Sequence, residues 1–60
     1  MVTQFITLTI ELQRSPADLL RMIEAQLQTY GDPLRWAVTD VDLTAQTAIV
    51  EAIVTRKNES

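Results

Sequence analysis

The sequence predicts an α+β fold of two layers, β-α-β-β, with one helix on one face of a three-stranded mixed sheet whose third strand is central. Three observations carry this. The first twelve residues alternate polar with apolar. A helix follows whose start, apolar stripe and stop signals agree. Two further strands come after it, the last one apolar on both faces.

Val2, Ile6, Leu8, Ile10 and Leu12 fall on one parity, interrupted only by Gln4. Thr3, Thr7, Thr9 and Glu11 take the other parity, joined by Phe5. Period two with many β-branched residues predicts a strand over 2–12 that buries one face. Ser15 is placed to cap free helical N–H groups, Pro16 suits the first helical position, and Asp18 complements the positive end of the dipole. Leu19, Leu20, Ile23, Leu27 and Tyr30 then make one apolar stripe, with Arg21, Glu24 and Gln28 largely opposite. Gly31, the single glycine, is expected as a left-handed C-terminal cap, and Pro33 stops the helix, which should run over 16–30.

The second strand, 34–43, changes phase within itself. Leu34, Trp36 and Val38 share one parity, and Val41 and Leu43 the other. A one-residue slip reverses every face, so either a bulge near Thr39-Asp40 restores the apolar side or both faces are partly covered. Leu43-Thr44-Ala45-Gln46 is the expected turn. The third strand, 47–55, sets Ala48, Val50, Ala52 and Val54 on one face and Ile49, Glu51 and Ile53 on the other. That pattern suits a central strand lying antiparallel between the first two, which a right-handed crossover would make parallel to each other. The polar tail 56–60 is expected to fray. One helix covers one face only. The other, with Phe5, one parity of the last strand and in one reading Trp36, has nothing left in the chain to cover it. Neither edge strand is expected to carry proline or lysine as a guard against pairing.

Composition narrows the chemistry. With no cysteine and no histidine, the chain has no thiol nucleophile, imidazole or soft metal ligand. Eight acids outweigh five bases, for a net charge of -3, and the bases Arg14, Arg21, Arg35, Arg56 and Lys57 are too diluted to predict nucleic-acid binding. No apolar run approaches the ~18 residues of a membrane-crossing helix, and the helix's polar face has only Arg21 as a base, so no membrane partner is expected. The N-terminus lacks the charge and apolar block of a signal peptide, and a cytoplasmic protein is expected. A hydrophobic fraction of 47% supports one folded domain over 1–60. At that length a domain buries only about 60% of the surface its unfolded chain exposes, and self-association is the remedy left when disulfides and metals are missing.

Individual candidates are few. Asp40 and Asp42 project to one side of a strand and could share a cation, yet they read as a solvated strand end entering a turn, and no metal site is expected. Glu11 and Glu51 interrupt apolar strands without a second catalytic group, and Ser15 lacks a base. No catalytic residue is expected. Arg35-Trp36 could stack a planar ligand or anchor an interface, packing being the simpler role.

Glu11-Leu12 closing the first strand, Ser15 opening the helix and Trp36 early in the second strand give the chain an order that resembles the dodecins, small flavin-binding proteins that assemble into hollow dodecamers. The resemblance implies that Trp36 stacks on a flavin ring. The strand-three glutamine that contacts flavin in that family has no counterpart in Thr47–Val54, nor has the glycine-containing loop between the last strands.

Two expectations follow. In the first, the protein is a non-enzymatic, cytoplasmic interaction or accessory module without cofactor. It forms a homo-oligomer, or binds another protein, by burying Phe5, Trp36, Ile49 and Ile53 through the helix-free face or an edge. In the second, it is an oligomeric, dodecin-like binder of a flavin-type planar molecule on Trp36.

Overall fold

The computed structural model describes residues 1–57 and contains β1 (Val2–Glu11), α1 (Pro16–Gln28), β2 (Asp32–Asp42) and β3 (Thr47–Arg56). Positions 58–60, the end of the tail expected to fray, lie outside the described residues. The sheet order is β1-β3-β2, with the last strand central. Both ladders are antiparallel. The sheet predicted as mixed is therefore antiparallel throughout, since β1 and β2 run parallel to each other but are never neighbours.

Alternation along β3 divides the molecule. Val50, Ala52 and Val54 are buried in one cluster with Ile10, Ile23 and Leu27, and Ala48 is buried on the same side of the sheet. Ile6, Leu8, Leu19, Met22 and Trp36 pack partly buried around them. Each fully buried Ile, Leu or Val contributes about 1.5–3 kcal/mol, so this face supplies most of the stability. The predicted stripe holds at Leu19, Ile23 and Leu27, whereas Leu20 and Tyr30 stay exposed and Met22 joins the core instead.

Ser15 caps α1 as expected, its hydroxyl accepting from the Asp18 N–H at 3.2 Å with Pro16 next in line. At the other end Thr29, Tyr30 and Gly31 donate N–H groups back to Gln26 and Leu27 carbonyls. The helix stops two residues before the expected end. Gly31 is not a left-handed cap. Its φ is +154°, and a Cβ there would lie 2.5 Å from the Thr55 carbonyl oxygen. Glycine is required because the chain passes directly against β3.

The phase change in β2 is resolved by a bulge between Val38 and Asp40, one of the two alternatives that the parity left open. It keeps Trp36, Val38 and Val41 opposite Ala52, Val50 and Ala48, all on the helix side. A second irregularity, between Pro33 and Arg35, drops Leu34 out of register and leaves it exposed. The strand also begins earlier than expected, with Pro33 paired to Val54. One edge strand therefore does carry a proline, contrary to the sequence expectation.

Thirteen helical residues span about 20 Å, while ten-residue strands span about 33 Å. The helix backbone comes nearest β2 and β3. Short as it is, it leaves the hairpin end bare, where Val38 and Val41 are 40% and 48% exposed despite facing the helix side. The hairpin loop occupies the expected four residues. The Asp42 carboxylate accepts from the Thr44 and Ala45 N–H groups, and Gln46 takes φ 58°.

Candidate functional surface

The helix-free face can be drawn row by row from the registers. From the hairpin end, β1, β3 and β2 contribute Glu11, Thr47 and Asp42, then Thr9, Ile49 and Asp40, then Thr7, Glu51 and Ala37. Next come Phe5, Ile53 and Arg35, and finally Thr3, Thr55 and Asp32. The face thus runs from an acidic end to an apolar row flanked by a guanidinium. Phe5 is 75% exposed, while Ile53 opposite it and Ile49 two rows away are half-buried. A shallow depression of about 260 Å³ lies here, bordered by Phe5, Arg35, Ala37, Thr39, Glu51 and Ile53. Trp36 and Ala52 also border it. Alternation sends their side chains to the helix side, so they reach it from the strand backbone.

This map separates residues that the sequence had grouped. Phe5, Ile49 and Ile53 do share the helix-free face. Trp36 does not. Opposite Ala52 and packed on the core, its indole belongs to the helix side and cannot join Phe5 in one contact surface. The physical reason is long-range register: parity shows that Trp36 and Val38 go together, but only pairing with β3 shows which way. Half-buried packing also supports the simpler role of the indole over stacking on a ligand.

Asp40 and Asp42 fall on one face as expected, but each carboxylate serves local backbone. Asp40 accepts from the Val41 N–H, and Asp42 holds the turn. Among the described residues no three acidic side chains gather to hold a metal ion. Glu11 and Glu51 are exposed and two rows apart. Arg21 pairs with Asp18 across one helical turn in the open, a contact of little energetic weight. No helix among the described residues is long and apolar enough to cross a membrane.

The backbone shows a feature that residue types alone did not. The Leu12 N–H donates to the Gln46 carbonyl at 2.9 Å, in the same register as the β1–β3 ladder. Antiparallel alternation then directs the N–H and C=O groups of Leu12, Ile10, Leu8, Ile6, Gln4 and Val2 into the sheet. Those of Thr3, Phe5, Thr7, Thr9 and Glu11 point outward along the edge. The same bookkeeping turns Pro33, Trp36 and Val38 outward on β2, where Pro33 has no N–H to offer.

No curated protein and no solved structure matches the chain. The model of a family described as "Domain of unknown function (DUF8621)" matches residues 4–56, from Gln4 in β1 to the last residue of β3, and the chain belongs to that family.

Proposed function

We propose that this chain is a non-enzymatic, cytoplasmic protein-interaction module that works as one protomer of a homo-oligomer. The observation that supports this most is Phe5, 75% exposed in the middle of a ten-residue strand on a sheet face that no other element among the described residues covers. A two-layer domain of this size gains little from leaving its one phenylalanine in water, whereas a second copy laid against it removes that surface at no cost in extra chain. Phe5 belongs both to the bare face and to the outer edge of β1, so it reports association through either.

Sedimentation velocity over a dilution series tests the reading. Association at micromolar concentration is expected, weakened at least tenfold in the dissociation constant by Phe5→Ser. A well-folded monomer at every concentration overturns it.

A further inference from the structure

Two long edges flank β3, and they are built differently. The outer edge of β2 is interrupted by bulges at Leu34 and Thr39, lacks one donor at Pro33, and carries Asp32, Arg35, Asp40 and Asp42 along the strand. Natural sheets use these devices to keep an edge from pairing. The outer edge of β1 has none of them. Its ladder to β3 is in unbroken register from Val2 to Glu11, and no charged residue appears before Glu11. The free groups of Thr3, Phe5, Thr7 and Thr9 form a continuous row. Beyond them the Glu11 carbonyl is already taken by the Gln13 side-chain amide at 2.9 Å, which closes the row.

A second observation points the same way from the helix side. The backbone of α1 lies nearest β2 and β3, and Ile6 and Leu8 of β1 remain half-buried while Val2 is exposed. The first strand is short of cover on its inner face as well as short of partners along its edge.

We infer that β1 is the assembly edge, pairing antiparallel with β1 of a second copy to give a continuous six-stranded sheet. The inference rests on the self-association proposed above and names its surface. Only the odd-numbered residues have free groups, so each must pair with an odd-numbered residue of the partner. Paired residues then share a face, and both helices lie on the same side of the joined sheet. A two-fold axis through Ile6 pairs Thr3 with the partner's Thr9 and Phe5 with the partner's Thr7, using every free residue of the row. Shifting the axis to Phe5 or Thr7 leaves one of these residues unpaired or draws Glu11 into the ladder. In the Ile6 register the two Ile6 side chains meet on the under-covered helix side. The two Phe5 rings become diagonal neighbours on the bare face, a separation that aromatic side chains bridge. The contact is isologous and closed, so it ends at a dimer.

Proline at Thr7 gives the test, because the N–H it removes faces outward and takes no part in the β1–β3 ladder. Wild type, Thr7→Pro and Ile53→Thr are compared by sedimentation over the same dilution series, with circular dichroism to confirm folding. Thr7→Pro is expected to weaken dimerisation at least tenfold while Ile53→Thr leaves it within about twofold. Amide exchange on the wild type keeps the inference testable even if the proline variant fails to fold. The Phe5, Thr7 and Thr9 N–H groups should become protected as concentration rises. Dimerisation that survives Thr7→Pro but is lost in Ile53→Thr, or amides at these three positions that exchange equally fast at all concentrations, overturns the edge and leaves self-association standing through the sheet face. A wild type that never associates removes both.

Discussion

The two faces of β3 are made from nearly the same residue types and have opposite fates. Val50 and Val54 are fully buried beneath the helix, whereas Ile49 and Ile53, one residue away, keep part of their surface in water. Apolarity therefore did not decide which side became the core. The helix did, by covering one side, and the register to β1 and β2 then fixed which residues it covered. The difference teaches that β3 is written for two covers and the described residues supply one.

Substitutions ranked by expected effect can break or sharpen that comparison. Val50→Ala removes buried methyl groups between helix and sheet and should cost about 2–3 kcal/mol, read from urea denaturation at a concentration that keeps the protein monomeric. Should it cost no more than a matched change at Ile49, the two faces are energetically alike and the comparison fails. Gly31→Ala tests how the helix layer is tied to β3. Its Cβ would meet the Thr55 carbonyl, and a loss of about 2 kcal/mol is expected from the same measurement. Ser15→Ala frees the Asp18 N–H at the other end of the helix and should cost about 1 kcal/mol. The smallest effect is expected for Ile49→Ala, below about 1 kcal/mol in the dilute monomer. A larger loss there shows that the bare face is covered within the monomer.

Much of this was legible in the sequence because the signals were local. Ser15, Pro16 and the stripe through Ile23 and Leu27 placed the helix. The parity clash between Val38 and Val41 marked Thr39-Asp40 as the place for a bulge or for cover on both faces, and only the register decides for the bulge. The irregularity at Leu34 left no such trace, because Leu34 shares parity with Trp36 and reads as in phase with it. Pro33 reads locally as a helix stop, and its place on a solvent-facing edge depends on which neighbour β2 acquires. Trp36 could be grouped but not oriented. The outward row on β1 depends on hydrogen-bond phase, which side-chain types do not encode. Likewise Gly31 was marked as special, but the Thr55 carbonyl that makes it so lies far along the chain.

The strand order also bears on how the protein is made. Every ladder in the sheet runs through β3, the last of the four elements to be synthesised. Until it emerges, β1 and β2 have no strand to pair with, and the nascent chain carries an uncharged, β-branched segment from Val2 to Ile10 with both of its edges open. Such topologies fold late and are exposed to aggregation while they wait. The helix, which needs only its own residues and the Ser15 cap, is the one element able to form early. Synthesis of this small domain is thus a race between the arrival of Thr47–Arg56 and the encounter of β1 with another copy of itself.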